Sequence, residues 1–161
     1  MRNTASSPFT LRSDADLLAT FRKFDQHSVV FPRYSLYPLL IEDYYAWTEP
    51  SGAYTYLVYK QSGWELPLGL VFQRNGSGSA LSPAGMCDWC HSYGPSSEIG
   101  LMSADITPRQ SGGTWLCKDL DCLQKIEEQT GLAPKAMQKH KEKLFEKMGK
   151  FYQRVRLGHE D

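Results

Sequence analysis

The sequence predicts an α+β fold in which helices pack on a small antiparallel sheet and a long helix closes the C-terminus. Three observations lead there. Four cysteines fall in two short-spaced pairs, two β-rich runs flank a turn, and apolar residues recur at helical spacing near the C-terminus. The chain has 161 residues, of which 41% are hydrophobic, so a single domain can bury a core.

The N-terminal segment 1–12 has no apolar periodicity and is expected to be flexible, with a single domain over 13–157. Ser13 has the chemistry of a helix N-cap, with Asp14 and Asp16 in the first turn. Leu17, Leu18, Phe21 and Phe24 then mark the apolar face of a helix over 13–26. Leu40, Tyr44 and Trp47 share a face if 39–47 is helical, and Pro50 and Gly52 end that segment. Residues 53–60 and 64–73 read as two strands of a hairpin turning at Gln61-Ser62-Gly63. The Gly/Ser stretch 75–79 is the candidate boundary before the next module.

That module, 83–130, holds all four cysteines. Cys87 and Cys90 are spaced C-x2-C, 26 residues follow, and Cys117 and Cys122 are spaced C-x4-C. Four thiolates in two chelating pairs meet the tetrahedral preference of a structural Zn²⁺. Such a closed site leaves no position for water, so it organises a fold and performs no catalysis. Around the pairs, 98–107 reads as a strand, 108–113 as a loop, 114–116 as the returning strand and 120–130 as a helix ending at Gly131. Knuckle, hairpin and helix in that order form a treble-clef zinc finger.

Two other readings of the first pair are weaker. Cys87-Asp88-Trp89-Cys90-His91 spells a c-type haem attachment motif, which leaves Cys117 and Cys122 without a role. A C-x-x-C redox pair opens a helix, whereas Pro95 follows closely here with no helical pattern. Trp89, inside the knuckle, is either a lid over the metal or an exposed contact aromatic.

Pro134 suits the first turn of a last helix, expected over 134–157, with Met137, Leu144, Met148, Tyr152 and Val155 as its apolar stripe. Lys135, Lys139, Lys143 and Lys147 recur every four residues on another face, extended by Lys150 and Arg154. The net charge of the chain is zero, yet 123–157 carries nine basic and four acidic residues. This stripe is a solvated face or a patch for an acidic protein surface or RNA phosphates.

Met86-Cys87-Asp88-Trp89-Cys90-His91, Gly100-Leu101-Met102-Ser103-Ala104 and the run from Gly113 to Cys122 resemble the C-terminal treble-clef domain of elongation factor G-binding proteins. These are fusidic-acid resistance proteins of the FusB type. The upstream runs 43–47, 53–58 and 69–72 fit the α/β part of that domain, so the resemblance covers 13–157. It implies Zn²⁺ on Cys87, Cys90, Cys117 and Cys122. It further implies a non-catalytic protein that binds elongation factor G and promotes its release from the ribosome. The resemblance does not reach the additional N-terminal helical bundle of the resistance proteins. The alternative partner is the ribosome or ribosomal RNA, met by the basic C-terminal helix.

No nucleophile-elbow, H-E-x-x-H or P-loop pattern occurs, so neither an enzyme nor a small-molecule substrate is expected. The N-terminus lacks the apolar core of a secretory signal and no run is long enough to span a bilayer. With its cysteines unpaired, the protein is expected in the cytoplasm, away from membranes.

Overall fold

The computed structural model describes residues 5–33, 36–74, 84–129 and 131–157. Its centre is a five-stranded antiparallel sheet built from β3 (Tyr44–Thr48), β4 (Tyr54–Tyr59), β5 (Leu68–Arg74), β8 (Ile99–Thr107) and β9 (Gln110–Cys117), in that spatial order. A short pair, β1 (Phe9–Leu11) with β2 (Leu39–Ile41), lies beside helices α1 (Asp14–Ala19) and α2 (Lys23–Gln26). A second short pair, β6 (Gly85–Met86) with β7 (Tyr93–Gly94), frames the first cysteine pair. Helix α3 (Cys122–Glu127) precedes α4 (Pro134–Tyr152), which continues as a π-helical turn over Gln153–Leu157.

β4 is buried on both faces, which is why its sequence is an unbroken apolar and aromatic run. Leu57 and Tyr59 face α4, where they join Leu70, Phe72, Met102, Leu144, Met148 and Tyr152. Tyr56 and Val58 face the other way, onto Phe9, Leu11, Leu17 and Phe21. The sheet therefore separates two apolar layers. The buried Tyr152 hydroxyl donates toward the carbonyls of Leu57 and Leu68, at 3.1 and 3.0 Å, and holds α4 on the sheet.

Several expectations are corrected. Residues 39–47 form β2 and β3, not a helix. Tyr44 and Ala46 pack on the α4 side while Tyr45 and Trp47 pack on the other, a period of 2 that pairing with β4 enforces. The helix expected over 13–26 breaks at Thr20–Arg22. Gly69 N–H donates to Thr20 O at 2.8 Å, and the Phe21 ring lies so close to Gly69 that a Cβ there would be 2.8 Å away. A continuous helix would withdraw Phe21 from that slot. The segment expected to be flexible over 1–12 is anchored from residue 5 onward. Ser7 N–H donates to Lys60 O at 2.7 Å, Ser62 N–H to Ala5 O at 3.0 Å, and Phe9 and Leu11 are buried.

The loop expected over 108–113 shrinks to a two-residue turn, because 110–113 pair with β8. The second hairpin strand begins at Leu68, leaving Trp64 to pack on Tyr59 and Tyr152. α3 is shorter than 120–130, because Leu120 adopts a left-handed φ of 55°. The proposed boundary over 75–79 lies outside the described residues.

The β3–β4 turn is organised by the Glu49 carboxylate. It accepts from the Ser51 hydroxyl, from Ser51 N–H at 2.9 Å, from Ala53 N–H at 2.7 Å and from Tyr54 N–H at 3.2 Å. The Ser51 hydroxyl bond, with the three backbone bonds, holds the carboxyl down to about 2, against the upward pull of burial. A depressed carboxyl stabilises the folded state above its unfolded value of 4.5 and loses that contribution as pH falls toward 2. Glu49→Gln should therefore destabilise the protein by about 1 kcal/mol at pH 7, the figure being reduced for solvent screening. In urea unfolding followed across pH, the gap between wild type and variant should close as pH drops below 4.5.

Candidate metal centre

The two cysteine pairs flank the β8–β9 hairpin in sequence and meet at its open end, where Ile99 pairs with Cys117. Cys87 follows β6, and the chain turns through Asp88-Trp89-Cys90 before returning as β7. Two backbone bonds close that knuckle, Cys87 N–H to Ser92 O at 2.9 Å and His91 N–H to Cys87 O at 2.8 Å. His91 takes φ 63°, a left-handed value that costs a non-glycine residue some strain. Asp88 clips the knuckle to β9: its N–H donates to Trp115 O at 2.7 Å, and its carboxylate accepts from Trp115 N–H at 3.1 Å and from the Thr114 hydroxyl.

The second pair spans the end of β9 and the start of α3. Cys117 closes the strand, Leu120 N–H returns to Cys117 O at 2.9 Å, and the left-handed Leu120 turns the chain so that Cys122 points back. The buried Tyr44 hydroxyl sets this turn, donating to Leu120 O at 2.5 Å and accepting from Leu123 N–H at 3.2 Å. The Thr55 hydroxyl donates to Lys118 O at 2.8 Å, so the central sheet also holds the ligand loop.

All four sulfurs lie within 4.8 Å of one another. Cys87 Sγ is 3.6 Å from Cys122 Sγ, and Cys90 Sγ is 3.6 Å from Cys117 Sγ. These separations exceed a disulfide bond of about 2.05 Å. They approach the edge of about 3.8 Å that a tetrahedron of sulfurs about 2.3 Å from zinc would have. Cys87, Cys117 and Cys122 are buried and Cys90 is half-buried. Hydrogen bonding with Cys117 holds the Cys90 thiol well below its ordinary value, while contact with Cys117, Cys87 and Cys90 pushes Cys122 well above it. Four such sulfurs cannot all ionise unaided; a bound divalent cation removes that conflict. The donor set fits Zn²⁺, which would be held by Cys87, Cys90, Cys117 and Cys122 and would supply folding energy without an open coordination position.

The other candidate residues part company. Trp89 is only 5% exposed, with its ring edge-on to Phe72 and Phe151 at 6.1 and 5.9 Å. It is a core residue, not a contact aromatic, because the knuckle turns its side chain inward under α4. Lys135, Lys139, Lys143, Lys150 and Arg154 are exposed, and Lys147 is half-buried. The Lys147 ammonium donates to Asp88 O at 2.9 Å and lies 2.7 Å from His91 Nε2, tying α4 to the knuckle. Tyr44 and Thr55 escaped the sequence reading, since no spacing links them to the cysteines; Asp88 lies inside the knuckle motif, but its role as a clip depends on β9 lying beside it.

Cys117→Ser should remove the metal and, with it, the fold of the module. Purified wild type should carry one zinc per chain. The variant should carry none and lose its near-ultraviolet circular dichroism, because structural zinc supplies about 10–16 kcal/mol in finger peptides. A variant that kept both would overturn the four-sulfur assignment.

No curated protein sequence and no solved structure matches the chain. A family model, the FBP C-terminal treble-clef zinc-finger, matches residues 17–157. The match runs from α1 through the π-helical turn and takes in the whole sulfur cluster. The chain therefore belongs to the FBP C-terminal treble-clef zinc-finger family.

Proposed function

We propose that this protein binds elongation factor G in the cytoplasm, through its zinc module, and promotes release of the factor from the ribosome without catalysis. The partner's identity rests on the family resemblance. The observation that carries a binding role is the apolar surface beside the metal centre. Tyr93 is 74% exposed and Trp115 is 39% exposed, and Met86 and Leu101 are exposed with them. Met86 pairs with Tyr93 across β6–β7, and Leu101 pairs with Trp115 across β8–β9. The Trp115 ring lies against Gly85, where a Cβ would come within 2.8 Å, so the two hairpins abut.

Exposed aromatic and long apolar side chains on a rigid support are the usual anchors of protein interfaces. Zinc would hold the two hairpins together and so preorganise these anchors. The mechanism is stoichiometric: release requires that the protein bind the free factor, or a release-prone state of it, more tightly than the ribosome-held state. Among the described residues no helix is long and apolar enough to cross a membrane.

A second reading is favoured by a separate feature. Lys139, Lys143, Lys147 and Lys150 fall within about 80° of the α4 circumference, and Arg154 follows in the π-helical turn, a cationic stripe suited to RNA phosphates. Capture of elongation factor G by the zinc-loaded protein, beside ribosomes and bare RNA at two salt concentrations, tests both. The factor should bind one-to-one and salt-tolerantly, and Tyr93→Ala should weaken capture about 10-fold while zinc content stays unchanged. Failure of wild type to capture the factor would end the first reading. Salt-sensitive RNA capture lost in Lys139→Glu/Lys143→Glu would establish the second.

A further inference from the structure

The sulfur cluster has a charged neighbour that is not a ligand. Lys125 Nζ lies 3.2 Å from Cys117 Sγ and 3.7 Å from Asp121 Oδ1, and its side chain is 27% exposed. Lys125 stands three residues after Cys122 and four after Asp121 on α3, so one helical turn aims its ammonium at the ligand loop. Among the described residues the bonds at the other sulfurs are to neutral groups: Trp89 N–H donates to Cys87 Sγ at 3.4 Å, and the Cys90 thiol donates to the Ser92 hydroxyl at 3.2 Å. Among the described residues, Lys125 is the cation that reaches a ligand sulfur.

The need for such a cation follows from charge. Four thiolates around a divalent metal carry a net charge of −2, and three of the four sulfurs are buried. Outside the cluster, a cavity of about 360 Å³ is lined by Glu98, Asp119 and Asp121, with Ser97 and Lys125. Three acidic residues thus share a lining with Lys125; Asp119 is paired with Arg74 at 2.6 Å, and Lys125 is the cation in that lining. An N–H donated to a thiolate draws electron density from sulfur, so the sulfur attracts protons and competing metals less. Asp121 pairs with the same ammonium at 3.7 Å.

We propose that Lys125 is a positioning residue for the metal centre: its ammonium holds the Cys117 thiolate, offsets the negative charge of the site and sets how firmly zinc is retained. This assignment does not depend on elongation factor G being the partner. It identifies the residue that separates a tight structural site from a labile one.

The test measures zinc transfer from the full chain to a chromogenic chelator, for wild type, Lys125→Met, Lys125→Arg and Lys141→Met. Lys141 is the control. From α4 it pairs with Glu127 of α3, the helix that carries Lys125, at 3.0 Å, so its loss removes one positive charge from the same helix pair without touching a sulfur. Lys125→Met should weaken zinc retention 10–100-fold, the range for loss of a group supporting a metal ligand. Lys125→Arg should restore most of it, and Lys141→Met should match wild type. A second readout is spectroscopic. In the cobalt-substituted protein, the sulfur-to-metal charge-transfer band should move to lower energy in Lys125→Met and return in Lys125→Arg. A purely structural role would leave that band in place. Unchanged transfer with an unchanged band would overturn the proposal, as would equal effects from Lys125→Met and Lys141→Met. If Lys125→Met does not fold, Lys125→Gln, which keeps a neutral donor, is read in both assays by the same criteria.

Discussion

The convergence of four sulfurs is the constraint on which the rest of the molecule depends. Each cysteine pair is local, but the cluster forms only if the knuckle, the β8–β9 hairpin and the start of α3 meet at one point. Both turns that aim the sulfurs use left-handed residues that are not glycine, His91 and Leu120. That strain persists because the surroundings over-determine it. Asp88 clamps one turn to β9, and Tyr44 and Thr55 clamp the other to the central sheet.

The metal centre is continuous with the main core. Cys87, Trp89, Cys117 and Cys122 pack in the same apolar layer as Phe72, Met148 and Tyr152. Losing the metal would therefore loosen the seat of α4 as well as the knuckle. At the far end of the sheet the closure is polar. The Arg22 guanidinium reaches the carbonyls of Asp105, Ile106 and Val155. The Arg156 guanidinium reaches those of Thr20 and Gly69. These two arginines donate to carbonyls at strand and helix ends, and they join the N-terminal layer to the C-terminal turn.

A chain of zero net charge can still be strongly patterned. Glu42, Asp43, Asp119, Asp121 and Glu127 line one groove, whereas Lys147, Lys150 and Arg154 line another beside the knuckle. The aromatic and apolar side chains of the two small hairpins form a third kind of surface. Among the described residues, the polar groups beside the sulfurs each brace the site: Asp88 clips the knuckle to β9, Tyr44 holds the turn before α3, and Lys125 meets Cys117.

The sequence by itself determined the ligand set, the order of knuckle, hairpin and helix, the hairpin over β4 and β5 and the long last helix. Those features are local: cysteine spacing, runs of β-formers and a 3.6-residue period act within one segment. Tertiary structure decided the rest. Whether 39–47 became strand or helix depended on β4 being available to pair with it, because Leu40, Tyr44 and Trp47 also fit a helical face. Whether Trp89 faced solvent depended on α4 lying over the knuckle, 62 residues away in the chain at Phe151. The break at Thr20–Arg22 answered to Gly69, and the ammonium on Cys117 came from a helix whose start is set by Tyr44. Each of these outcomes joins residues far apart in sequence, and only the folded chain brings their energies to bear.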